Sequence, residues 1–452
     1  MRNARGQGTS RRRLVGLSLG LLSGGGLLGT ACGTTSAPEA PAAAIAPAEI
    51  EYVHGFGDAL AAPIAEAFTL RFPQITVKLL NTPWAEIQTK ITTGVAAGSP
   101  PDVVMAANSD GRLYSYAHTG LIQPLEKLAT ANELLRVKEW IHPSMWDLGT
   151  YAGKIYGVAM WTQSFALVWN KNHFNEAGLN PDRPPQTLDE MATFAEKLTK
   201  KDSAGGYSRL GYFHEGLNQW LPVFGGGLMD ATGKKVAAND PQSVKALEWL
   251  LAWQRKYDPA GLKDFRANAP SNFRSAFTAE KYSMVTENPI ITRQIKLLPT
   301  PFEYGVAFMP APTDQPGTGC YTYGDIPAVC SGAPHGAQAW QYVRYLSGFG
   351  TEDGGVDKYL VQPQTPVSEK AFKAGAYKPV QEAYPGFDMY ARALFESKRF
   401  LFPPKIPTAA GYGTILGKYV GEARNGTITA KEALNRATQE AQAELDQAGG
   451  PR

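Results

Sequence analysis

Cysteine is scarce in this 452-residue chain, which holds only Cys32, Cys320 and Cys330. The histidines, His54, His118, His142, His173, His214 and His335, are scattered and read singly as surface or core positions. Zinc takes four protein ligands, or three and a water, so this inventory makes a poor metal site, and neither metal nor cofactor is expected. An excess of one charge is also missing. Lys and Arg number 44 against 41 Asp and Glu, a formal net charge of +3, and no basic run lies outside the first residues. That argues against a nucleic-acid partner. Beyond residue 32 no apolar run is long enough to span a bilayer. There is no G-x-S-x-G elbow and no H-E-x-x-H, which lowers the case for an enzyme, although a triad assembled from distant positions stays open. Gly411-Tyr-Gly413-Thr-Ile-Leu-Gly417-Lys418 has glycines like a phosphate loop, but the spacing is wrong and no Ser or Thr follows the lysine. It reads as a helix with glycines for close packing.

What is present begins with an address. Arg2, Arg5 and Arg11 to Arg13 form a basic start, Leu14 to Leu28 an apolar stretch, and Thr30-Ala31 supply small residues before Cys32. Ser10-Arg11-Arg12-Arg13-Leu14-Val15 resembles a twin-arginine export signal, and Leu28-Gly29-Thr30-Ala31-Cys32 resembles a lipoprotein cleavage box with its leucine one place further out than usual. The expectation is a signal peptide over 1–31, lipidation of Cys32 and a flexible tether over 32–47; an ordinary secretory signal is the alternative. Gly33 to Pro47 is rich in Thr, Ser, Ala and Pro and cannot offset its ordering entropy. Export places Cys320 and Cys330 where disulfides persist, so a bridge between them is expected, with buried free thiols as the alternative.

With 43% hydrophobic and 19% charged residues, the folded remainder is long enough for two domains. Glu51 to Asp58 reads as a strand ending in a polar, Gly-containing loop. Ala59 to Phe72 carries Leu60, Ile64 and Phe68 at helical spacing and stops at Pro73. A strand over Ile75 to Leu80, a helix over Pro83 to Ala97, and a strand over Pro101 to Met105 follow. This alternation predicts an α/β chain with a parallel, doubly wound sheet, which places ligands at the C-terminal strand ends. His54, Phe56, Asp58, Asn108 and Asp110 then share one rim.

The stretch from Tyr156 to Leu179 organises the rest. A polar crossing precedes a strand over Phe165 to Trp169, the Asn170-Lys171-Asn172 turn leads into a short helix stopped by Gly178, and Pro185-Gln-Thr187-Leu-Asp189-Glu190 is a capping box. Together these resemble the lobe crossing of bacterial extracellular solute-binding proteins of the carbohydrate-binding class, with Ala159 where proline is usual and Trp169 where tyrosine is usual. The same resemblance covers Ala97-Gly98-Ser99-Pro100-Pro101-Asp102-Val103, Thr119-Gly120-Leu121 to Leu125, Phe224 to Leu247, Phe273 to Met284, Tyr304 to Pro310 and Ala339 to Leu346. Each motif is weak alone; their order is specific.

The resemblance implies a two-lobed periplasmic-binding-protein-like fold of type II, each lobe a sheet flanked by helices, with a hinge between lobes. It implies 48–158 and 303–350 for the first lobe and 159–302 and 351–452 for the second. The implied function is capture of a sugar or oligosaccharide in the inter-lobe cleft and delivery to the membrane permease of an ABC transporter. The protein would be a monomer of the cell envelope, anchored outside the cytoplasm, with no chemistry on the ligand. Candidate cleft residues are His54, Asp58, Trp84, Asn108, Asp110, Tyr323 and Asp325 from the first lobe. The second lobe would supply Trp161, Ser164, Trp220, Glu287, Asn288 and Tyr412. Rings for the apolar face of a sugar and polar groups for its hydroxyls are the reason for the set. The alternative for Trp84 and Trp161 is a place in the core, and for Asp58 a helix cap alone. Arginine is missing from these segments, since Arg112 and Arg293 should point along helices and Lys405 is the one late cation, so a neutral ligand is expected. Glycerol-phosphate-type binding and an exported enzyme using a cysteine nucleophile are the alternatives.

Overall fold

β1 (Ala48–His54), helix α1 (Asp58–Arg71), β2 (Ile75–Asn81), helix α2 (Ile87–Ala96), β3 (Val103–Ala107) and helix α3 (Arg112–His118) follow one another as the alternation predicts. They belong to a computed structural model that describes residues 45–450 apart from 108–109, 214–215, 258, 269, 271–272, 315–316 and 352–353. β1 lies between β2 and β3 and is parallel to both. Parallel neighbours need crossovers, and α1 and α2 supply them. Ile50, Tyr52 and Val53 are buried between layers, and the C-terminal ends of all three strands open on one edge. Cys32 and its tether up to residue 44, and Asn108, lie outside the described residues.

After the small hairpin of β4 (Thr150–Tyr151) and β5 (Lys154–Ile155), β6 (Trp161–Ser164) leads into β7 (Ala166–Asn170). β8 (Lys200–Lys201), β9 (Tyr207–Tyr212), β10 (Tyr282–Glu287) and β11 (Tyr304–Ala307) complete a second sheet in the order β11-β7-β10-β9-β8. Local chemistry sets these boundaries. Asn170 accepts from the His173 N–H at 3.1 Å, so a helix begins directly after β7 and ends at Gly178, whose φ is +69°. The capping box forms: Thr187 Oγ1 accepts from Glu190 N at 3.1 Å, and the Glu190 carboxylate reaches back to the Gln186 N–H at 2.8 Å.

β12 (Gly319–Val329) is the long strand that joins the two halves. Its end, Ile326 to Val329, pairs antiparallel with β3, while its first part pairs with β6 and with β13 (Arg399–Leu401). The side chains follow suit. Tyr321 belongs to the core of the second sheet, and Ile326, Ala328 and Val329 to that of the first. Two sheets, each with its own core, make two lobes. Residues 356–394, expected in the second lobe, send Val356, Tyr359, Val367, Tyr377, Phe387 and Leu394 into the core of the first sheet instead. β11, expected in the first, pairs with β7 in the second.

The disulfide expectation is overturned, because Cys320 and Cys330 are free and buried. One lies near the start of β12 and the other just past its end, so the extended backbone holds them roughly 30 Å apart at about 3.3 Å per residue. A bridge needs Cα atoms within about 7 Å. Among the described residues no helix is long and apolar enough to cross a membrane.

Candidate functional site

The first rim is built on the ends of β1, β2 and β3. Gly55 decides its shape: a Cβ there would stand 2.6 Å from atoms of the Trp84 ring, so the absent side chain lets the indole lie against the backbone. Phe56 then meets Trp84 edge-on at 5.4 Å and Trp161 at 5.6 Å, two half-buried rings on a fully buried indole. His54 is buried beneath, stacked 6.2 Å from Phe56, with neither ring nitrogen hydrogen-bonded among the described residues. Burial holds its pKa below the ordinary value, with Asp58 at 3.7 Å opposing, so the ring is neutral at pH 7. Asp58 is exposed at the start of α1. Arg112 does not run along its helix. Its Nε donates to both Asp110 oxygens at 3.0 Å, its Nη1 donates to the Trp84 carbonyl at 2.8 Å, and the guanidinium lies 5.7 Å from the centre of that ring.

The seam between the lobes is the β6–β12 ladder. Its register sets Trp161 opposite Asp325 and Gln163 opposite Tyr323, and the period of two puts Trp161, Gln163, Tyr321, Tyr323 and Asp325 on one face. Gln163 sits at the centre. Its Nε2 donates to Asp325 Oδ2 at 3.2 Å, and its Oε1 accepts from Tyr323 OH at 2.8 Å and from Asn288 Nδ2 at 2.7 Å. Trp161 Nε1 donates to the same Asp325 oxygen. Asn288 Oδ1 accepts from Arg274 Nη2 at 3.3 Å, and Arg274 donates twice to Glu287 Oε2, at 3.1 and 2.8 Å. Beside this network Phe165, Tyr321 and Tyr323 stand 5.3 to 6.2 Å apart around a cavity of about 420 Å³, with Asn218, Gln219 and Gly413 in its wall.

Seven of the expected residues converge here or on the facing rim: His54, Trp84, Trp161, Glu287, Asn288, Tyr323 and Asp325. Asp110 is on the rim but tied to Arg112. Ser164, even-numbered in its strand, is buried on the other face, where its N–H donates to Thr365 Oγ1 at 3.3 Å. Trp220 and Tyr412 are core residues, contrary to expectation. Trp220 is fully buried 4.4 Å from Trp249, and Tyr412 donates its hydroxyl to the Leu228 carbonyl at 2.9 Å. The absence of arginine is corrected too, since Arg112 and Arg274 both stand at the site. Lys405 pairs with Asp147 at 2.5 Å. Gln163 and Tyr321 were missed although strand alternation would have found them; Arg274 carries no local signal.

Gly411 to Lys418 is helical, within Ala409–Arg424, as the sequence suggests. Close packing is not the reason for Gly413 and Gly417, although a Cβ at Gly411 would stand 2.9 Å from a Glu444 carboxylate oxygen. A Cβ at Gly413 or Gly417 would have nothing within 4 Å, and both residues line the cavity.

A family model for bacterial extracellular solute-binding proteins matches residues 63–378. This chain belongs to that family. A Brucella abortus chain described only as a binding protein is 25% identical over 290 residues, 63% of this chain and 67% of the relative. The sn-glycerol-3-phosphate-binding periplasmic protein of Pectobacterium atrosepticum is 23% identical over 290 residues, 62% of this chain and 64% of the relative. Among solved structures, CpMnBP1 with mannotriose bound superposes with a TM-score of 0.72 at 23% identity, covering 87% of this chain and 99% of that one. The cyclic alpha-maltosyl-1,6-maltose binding protein of Arthrobacter globiformis gives 0.71 at 18%, covering 89% and 100%. These likenesses establish the two-lobed fold for this solute-binding protein.

Asp325 gives the seam a pH dependence. Burial pushes its carboxyl up to about 6, against the hydrogen bonds from Trp161 and Gln163. Between its unfolded value near 4 and about 6, the folded solute-binding protein keeps a proton that the unfolded chain has released. The group therefore contributes most stability below pH 4 and loses that contribution as pH rises through 6. Urea denaturation of wild type and Asp325→Asn is expected to show their stability difference moving against wild type by on the order of 1–3 kcal/mol between pH 4.5 and 7.5. A difference independent of pH would contradict this assignment.

Proposed function

We propose that this chain captures a neutral mono- or oligosaccharide between its lobes and delivers it, unaltered, to the membrane permease of an ABC transporter. One observation carries the reading. Rings on both rims face a hydrogen-bonded ladder of Gln163, Asn288, Tyr323 and Asp325, while each rim arginine is matched by a carboxylate. Sugars offer the complementary surfaces, apolar ring faces and a girdle of hydroxyls. The mannotriose named for one structural neighbour and the maltosyl-maltose named for another support the choice of solute class. The ligand residues in this reading are Phe56, Trp84, Asp110, Gln163, Tyr321, Tyr323 and Asn288.

The glycerol-phosphate alternative draws on the Pectobacterium relative, but a phosphate would meet Asp110 and Glu287 already occupying the arginine forks. A thiol enzyme is disfavoured, because burial pushes Cys320 up to about 12 and Cys330 higher still, so neither is a thiolate at neutral pH. The boundaries we propose are 48–158 and 326–394 for the first lobe, and 166–307 and 409–447 for the second, with β6, the start of β12 and β13 as crossings. Lobe closure over the solute would be a population shift at those crossings. Export and anchoring through Cys32 complete the reading, and Cys32→Ala should then move the protein from the membrane to the soluble fraction.

Titration calorimetry with a panel of neutral saccharides tests the function. Binding of at least one sugar with an affinity that barely changes across a salt series is the expected result, since no ion pair is formed for salt to screen. Failure of every sugar in the panel would sink the proposal.

A further inference from the structure

Two arginines at a ligand cleft ordinarily signal an anionic ligand, because the guanidinium fork matches carboxylate and phosphate geometry. Here both forks are already engaged. Arg112 is closed on Asp110 at the first rim, and its Nη1 donates to the Trp84 carbonyl. Arg274 is closed on Glu287 at the end of β10, with side chains 25% and 13% exposed, so this pair is largely shielded from water. Arg274 also holds Asn288 Oδ1, and Asn288 passes the contact to Gln163 in the centre of the seam. Glu287 therefore does two things. It aims Arg274 at Asn288, and it cancels the charge that the cleft would otherwise present beside Tyr323.

We propose that Glu287, seconded by Asp110, sets the charge specificity of the cleft by acting as a built-in anion in the arginine forks, so that phosphorylated polyols are rejected and neutral ones admitted. Glu287 is a positioning and specificity residue in this account, and the inference rests on the neutral-saccharide reading above. The energetics favour such a filter. A carboxylate that remains in place cancels the attraction of Arg274 for an incoming phosphate, while displacing it leaves a shielded carboxylate unpaired. Either route penalises the anion and leaves an uncharged hydroxyl unaffected. The same chain with Glu287 neutralised would keep the Arg274 fork without its occupant.

The test uses sn-glycerol 3-phosphate and inorganic phosphate as probes against the mature protein. Wild type should bind neither measurably, and Glu287→Gln should bind sn-glycerol 3-phosphate about tenfold or more tightly than wild type. That gain should fade as salt is raised, because the contact of the phosphate with the freed Arg274 guanidinium is ionic. Glu287→Asp, which keeps the charge, should behave as wild type; a purely structural role for Glu287 would not separate the two variants in this way. Thermal melting checks that the variants fold. Should Glu287→Gln fail to fold, Asp110→Asn on the more exposed rim carries the test, with a gain in the same direction. Wild type binding sn-glycerol 3-phosphate as well as the folded charge-removing variant does, or that variant gaining nothing, would overturn the proposal. Saccharide titration of wild type is read separately, so loss of the sugar reading and loss of the charge filter are distinct results.

Discussion

Trp220→Ala is expected to cost the fold about 3–5 kcal/mol, the range for emptying a large aromatic site in a packed core. Trp220 is fully buried, packed 4.4 Å from Trp249 and edge-on to Tyr212 at 6.1 Å, with Trp253 and Phe224 in the same group. Those rings hold the helix Pro241–Gln254 against β9, and they cannot collapse into the void without moving backbone. Read from sequence, Trp220 is a stacking platform for the solute, and its loss would then lower affinity at unchanged stability. The two accounts separate cleanly. Urea denaturation should show a lowered midpoint, and calorimetry on the folded variant should show solute binding preserved apart from effects on the neighbouring Asn218 and Gln219. An unchanged midpoint with lost affinity would return Trp220 to the cleft.

Gly413→Trp should do the opposite, abolishing binding while leaving the fold intact. Gly413 lies inside the Ala409–Arg424 helix, faces the cavity, and has open space where a side chain would be. An indole would project into the cavity of about 420 Å³ that Tyr321 and Tyr323 line and obstruct their faces. Replacing a helical glycine also removes a penalty of roughly 0.5–1 kcal/mol relative to alanine, so the stability change should be small and of either sign for the bulkier tryptophan. We expect saccharide affinity to fall about a hundredfold or more, close to 3 kcal/mol. Gly413→Ala is the control, with a gain in stability and affinity within severalfold of wild type. A Gly413→Trp protein that binds like wild type would show that the solute sits elsewhere.

These two positions mark how far sequence alone reaches. The strand–helix alternation from β1 to α3, the Thr187–Glu190 capping box and the crossing near Tyr156 were legible because they depend on local periodicity and capping chemistry. Strand ends were legible as a rim for the same reason, which brought His54, Phe56, Asp58 and Asp110 into view. Trp220 and Tyr412 were misplaced because a tryptophan or tyrosine in a loop or glycine-rich helix reads alike whether it faces a cleft or a core; only packing decides. Arg274 and Glu287 meet across 13 residues through a turn of helix and a strand, a contact that no short pattern announces. The Cys320–Cys330 bridge failed on a single topological fact, that the length of one extended strand separates them.

The seam residues explain why the two lobes are coupled rather than merely joined. Gln163 binds Asp325 of β12 and Asn288 at the end of β10, so any rotation of the second sheet about the crossings must stretch this ladder or carry it along. A solute that hydrogen-bonds the same groups and stacks on rings of both rims gains contacts only when the rims approach. In the proposed mechanism its differential affinity for the closed form would supply the driving force for closure.

X-ray scattering of the mature protein with and without a saturating saccharide, chosen from those that bind by calorimetry, tests that claim most directly. The account predicts a smaller radius of gyration with sugar, a change lost in Gly413→Trp. Superimposable curves with and without a sugar shown to be bound would contradict capture by closure of the inter-lobe cleft.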